Sequence, residues 1–142
     1  MDASAILPAA GVSLLGMPLL LSASTHLRQF GAFKAVVVTQ SVVPFRLHQP
    51  AALAFVVCEL TVGVAGGAVL LPMARQGVVW VVVAEASMYL GLSLYVGTIV
   101  HRGLKVPCGC FGKVRPISRL TLLRNIALFV ACLAVGVWIG IP

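Results

Sequence analysis

AALAFVVCELTVGVAGGAVLL, residues 51–71, settles the class of fold. Its length matches the roughly 20 apolar residues that a helix needs to cross the hydrocarbon core of a bilayer. Inside it stands one acid, Glu59, preceded by Cys58. A carboxyl group in lipid costs about 2.5–3.5 kcal/mol on insertion scales, so an intramembrane acid points to a functional site. Glu59 is therefore expected to face other helices and to pair with a polar group near the same end, namely His26, Arg124 or Asn125. A glutamate that only fixes helix packing fits the same pattern. Gly63, Gly66 and Gly67 offer small-residue surfaces on which a neighbouring helix can pack closely.

Working outward, three more runs have the same character. Residues 3–23 hold Pro8 and Pro18, and no Lys or Arg precedes them. A cleavable leader starts with basic residues, so this run is expected to be a retained span. Residues 77–100 carry Trp80 near one end, Tyr95 near the other and a second acid, Glu85; the aromatics suit the two membrane interfaces. Residues 120–141 contain Arg124 and Asn125 one turn in, Cys132 near the middle and Trp138 near the far end. Arg124 can snorkel back to the surface, Asn125 can bond across helices, and Cys132 reads as a small core residue. Composition agrees. The chain is 61% hydrophobic and 9% charged, against about 25% charged in soluble domains. That leaves too little polar surface to coat a water-soluble globule. The net charge of +7 would suggest nucleic acid in a soluble protein. Here the cations lie between apolar runs, which assigns them to lipid headgroups and not to nucleic acid. The expected fold is an all-α integral membrane protein, one domain over residues 1–142, with four transmembrane helices in a bundle.

Two long connections join these spans. Residues 24–49 are too polar and too broken to cross. Leu27, Phe30 and Phe33 recur at helical spacing while Arg28 and Lys34 fall elsewhere on the wheel. This predicts a short interfacial helix between the first and second spans, ending before Pro44. Residues 101–119 carry Val106-Pro107-Cys108-Gly109-Cys110-Phe111-Gly112. A disulfide needs Cα atoms roughly 4.4–6.8 Å apart, so Cys108 and Cys110 can bridge only if Gly109 folds the chain. So small a ring is strained and easily reduced. His101, Arg102, Lys105, Lys113 and Arg115 surround it, and a positive field favours the reactive thiolate. An inert glycine turn and a soft-metal site for copper or zinc fit the same residues, although two thiols fall short of a four-ligand zinc site.

Four spans bring both long connections to one end of the bundle. Cys58 lies about seven residues into the second span, on the order of 10 Å deep at 1.5 Å per residue. Cys58 and Glu59 are thus expected beneath the Cys108/Cys110 loop, with Glu85 in the other half. A thiol pair above a buried acid suits proton exchange during redox chemistry.

The stretch 106–112, followed by Pro116-Ile117-Ser118-Arg119-Leu120-Thr121-Leu122-Leu123-Arg124-Asn125, resembles the methylamine-utilisation protein MauE family, within the DoxX-like group of four-span membrane proteins. Pro44 before the second span and Glu59-Leu60-Thr61-Val62-Gly63 within it agree. The resemblance implies a role in maturing methylamine dehydrogenase through disulfide formation beside a thioredoxin-like partner. By position, Cys108 and Cys110 become the redox pair and Glu59 the buried acid; Cys58 is a candidate resolving thiol because of its place beneath the loop, not because of the resemblance. The chain departs from the family where the first span ends: Ser24-Thr25-His26 stands where a lysine after a glycine is common. A non-enzymatic subunit or scaffold of a larger membrane complex is the alternative. No cofactor is named by the sequence, which leaves none, a quinone or a soft metal open.

The charges are uneven. Arg28, Lys34, Arg46, Arg102, Lys105, Lys113, Arg115 and Arg119 lie in the long connections, and Arg75 alone lies in the short one. The positive-inside rule places the Cys108/Cys110 loop in the cytoplasm and both termini outside, in a cell (inner or plasma) membrane. A partner in extracytoplasmic disulfide formation pulls the other way, since cytoplasmic thiols normally stay reduced; the charge count is followed.

Overall fold

The computed structural model describes residues 3–40, 44–71, 75–104, 107–108 and 115–140. Helix α1 spans Ala3–Arg28, α2 Phe30–Gln40, α3 His48–Ala68, α4 Arg75–His101 and α5 Arg119–Ile139, with a 3-10 turn at Phe45–Leu47 leading into α3. α1, α3, α4 and α5 are long and apolar enough to cross a membrane. The chain is a multi-pass membrane protein, and lipid is the solvent of its outer surface. α2 is the short helix expected between the first two spans.

The ends of the helices follow local chemistry. α1 runs past Ala23 to Arg28, further than hydropathy suggests. The hydroxyls of Ser24 and Thr25 both donate to the Leu21 carbonyl at 2.9 Å, so these polar side chains are satisfied inside the helix. That extension carries His26 on the last turn. Pro50 sits in the first turn of α3, where a missing N–H breaks no helical bond. α5 ends at Gly140, whose φ of 80° closes the helix in the left-handed region.

α1 packs most closely on α3 and α4 on α5; contacts of α1 with α5 and of α3 with α4 close the ring. The four spans turn polar residues inward: Ser22 and His26 of α1, Glu59 of α3, Glu85 and Ser93 of α4 and Asn125 of α5 are all buried. On α3 the buried stripe is His48, Ala52, Val56, Glu59, Gly63 and Gly66, one residue per turn, while Leu53, Val57, Leu60 and Val64 face out. This is membrane logic: leucine gains nothing by leaving lipid, whereas small residues let backbones approach and polar residues find partners. Two apolar clusters fill the axis. Ala9, Val12, Val69, Val81 and Val82 lie at the end carrying the termini. Leu15, Leu19, Tyr89 and Cys132 lie nearer the middle, which confirms Cys132 as a core residue.

α2 packs against α3 and α1. Its inward face differs from the expected one. Leu27 is exposed and belongs to α1, while Val37 and Gln40 are buried and Phe33 lies against His26. The stripe is Phe33, Val37 and Gln40, because a segment rich in valine on several sides supports more than one helical phase. At the other long connection, strand β1 (Pro107–Cys108) pairs antiparallel with β2 (Arg115–Pro116), with Cys108 opposite Arg115.

Candidate functional site

Glu59 begins the site. It is 1% exposed, and both of its oxygens are engaged. Oε2 lies 2.8 Å from His26 Nδ1, and Oε1 accepts the Ser22 hydroxyl at 2.9 Å. Ser22 and His26 stand four residues apart on α1 and so share a face. The inward pairing expected for Glu59 is present, with His26 as its partner. Ser22 was not anticipated; its position one turn before His26 was the available signal.

Aromatic rings hold the imidazole. His26 stacks on Phe33 of α2 with centroids 4.0 Å apart, and Phe55 of α3 lies 6.0 Å from His26 and 5.7 Å from Phe33. α2 is thereby tied to the polar pair at the α1–α3 seam. Beside this cluster a cavity of about 360 Å³ opens between all five helices, with Ser22, His26, Gln40, Glu59, Arg124 and Asn125 among its lining residues. The wall is mostly apolar, with Leu19, Met88 and Leu92 contributing. His26 Nε2 and Gln40 Oε1 are buried and have no hydrogen-bond partner among the described residues.

The residues singled out from the sequence fall in different places. Cys58 is exposed. Neighbouring helical residues point about 100° apart, so an inward Glu59 turns Cys58 out. The side chain of Cys108 and all of Cys110 lie outside the described residues. The backbone of Cys108 belongs to the short β pair, and Ile117, which follows β2, lines the cavity. The pair thus stands at the end of the bundle that holds the cavity. Glu85 is buried in the other half, beside Gly16 of α1 and Gly66 of α3, and neither of its oxygens has a partner among the described residues. Among the described residues no group of three His, Cys, Asp or Glu is placed to hold a metal ion.

The arrangement sets a hydrogen-bonded His26–Glu59 pair against a mostly apolar cavity at the end of the bundle where β2 leads into α5. The family model described as methylamine utilisation protein MauE matches residues 4–139, nearly the whole chain. No match was found among curated proteins or among solved structures.

Proposed function

We propose, since the chain belongs to the MauE family, that it is a membrane thiol–disulfide redox or maturation protein working through Cys108 and Cys110 with a thioredoxin-like partner. The observation that carries this reading is positional. β2 leads through Ile117 directly into the wall of the cavity that holds the His26–Glu59 pair. On this reading the dithiol works at the end of the bundle that also holds a proton acceptor and a mostly apolar cavity. Oxidation of two thiols releases two protons, and an imidazole held by a carboxyl is suited to take one of them. Glu59 acts through His26 as a positioning residue, and Cys58, facing outward, is the weaker candidate for a resolving thiol.

The reading predicts a reversible Cys108–Cys110 disulfide, the most easily reduced in the chain. Redox titration in glutathione buffers, with mass-spectrometric mapping of alkylated cysteines, should show those two thiols changing state together while Cys132, sealed in the core, does not. Replacing Cys108 and Cys110 by serine should abolish partner oxidation while leaving the bundle folded. If both thiols stay free across oxidising buffers in the folded protein, the redox reading fails and a scaffold subunit takes its place.

The charge distribution supports a cytoplasmic position for the same loop and external termini. A membrane-impermeant maleimide applied to intact cells should then leave Cys108 and Cys110 unmodified and reach them only after permeabilisation. Labelling from outside overturns the orientation.

A further inference from the structure

The cavity poses a problem of its own. Its volume of about 360 Å³ falls within the range of small-molecule sites, roughly 300–1,000 Å³. It lies in the membrane-spanning part of the bundle, so what enters it comes from lipid or through the loop end. Yet its wall includes two buried polar atoms without partners among the described residues, His26 Nε2 and Gln40 Oε1, on side chains 1% and 3% exposed. A buried polar group left unpaired is costly, and a lipid tail supplies no partner for either.

Both groups can change their hydrogen-bonding role. Nδ1 of His26 is engaged by Glu59, so Nε2 accepts when the ring is neutral and donates when the ring is protonated. The Gln40 amide carries a donor and an acceptor. An occupant that satisfies them has oxygens able to accept in one state and donate in another. Phe33, stacked on His26, and Phe55 add flat aromatic faces. A lipid-soluble planar ring with carbonyl oxygens that become hydroxyls has these properties.

We propose that this cavity binds a quinone-class molecule, with His26 and Gln40 meeting the ring oxygens. Binding stands on the cavity alone; its use in thiol oxidation rests on the redox reading of Cys108 and Cys110. In that use the two S–H bonds break and one S–S bond forms. The two electrons and two protons released convert the two quinone carbonyls into quinol hydroxyls.

The test uses the full chain in lipid nanodiscs, titrated with a short-chain ubiquinone and, in parallel, with an alkylbenzene of equal length, each corrected against empty discs. Saturable binding of the quinone only is expected. Gln40→Leu should weaken it about tenfold, by removing the side-chain amide N–H that donates to a quinone carbonyl. Leu92→Trp, which fills the chamber from α4, should abolish it, with circular dichroism checking the fold. On the wild type, an azidoquinone should label peptides of α2 and the first turns of α5, which needs no variant. No saturable binding, equal binding of the alkylbenzene, or labelling confined to outward faces overturns the site. C108S/C110S protein should bind quinone as well as the wild type. Quinone bound in the cavity that leaves the dithiol reduced counts against the redox reading and leaves the site standing. Thiol oxidation without quinone binding does the reverse.

Discussion

Glu59→Leu is expected to cost about 3–5 kcal/mol of bundle stability, the loss seen when one member of a buried pair is removed. The magnitude separates two views of this acid. An ordinary interhelical hydrogen bond in a membrane averages only about 0.6 kcal/mol, because the unfolded chain in lipid finds other partners. If Glu59 only fixed packing through one such bond, its loss would barely register. In the structure its two oxygens serve two α1 side chains, His26 and Ser22. Removing it strands an imidazole nitrogen and a hydroxyl at the buried α1–α3 seam. His26→Phe should also destabilise, by stranding the carboxyl. In the double variant the new ring can stack on Phe33 and Phe55 while leucine fills the acid's place. H26F/E59L should therefore be more stable than the sum of the single losses allows, with a coupling of about 2 kcal/mol. Detergent-induced unfolding of all four proteins measures the cycle. Additive losses would show that the two side chains do not act as a pair.

The inward direction of Glu59 was legible because physics leaves a membrane acid few options. The four spans were legible for a similar reason, since a bilayer demands long apolar runs. What stayed hidden depended on rotation and on gaps. Cys58 and Glu59 share a depth but not a face, and depth was the quantity that residue counting supplied. Spacing alone points the stripe of α2 toward Leu27 and Phe30, because Val36, Val37 and Val38 blur any single phase. Hydropathy ends the first span at Ala23, since it does not register that Ser24 and Thr25 bond back to Leu21. The cavity has no sequence signature at all. It is space left between five helices, and its polar residues come from segments as distant as Ser22 and Asn125.

Gly66→Ala should destabilise the bundle and Gly67→Ala should not, although the two glycines are adjacent and equivalent by hydropathy. A Cβ at Gly66 would run into Glu85 Oε1 and sit 3.1 Å from the Gly16 Cα on α1. The Glu85 carboxyl could swing aside, but the Gly16 backbone can yield only if α1 and α3 separate. A Cβ at Gly63 meets the same seam one turn away, 2.9 Å from the Leu20 backbone nitrogen and 2.8 Å from its Cγ. Each alanine at positions 63 and 66 is expected to cost about 1–3 kcal/mol as overpacking, and valine more, with loss of the folded bundle as the extreme outcome. Gly67 points away from the seam, and a Cβ there meets nothing within 4 Å. Alanine at 67 removes only the helix penalty of glycine and should be neutral or stabilising by up to about 1 kcal/mol. The same unfolding assay ranks the three. Equal tolerance at 66 and 67 would mean that α1 and α3 do not cross through Gly16 and Gly66. With that crossing would go the register that brings Ser22 and His26 to Glu59, because all of these contacts lie along one α1–α3 seam.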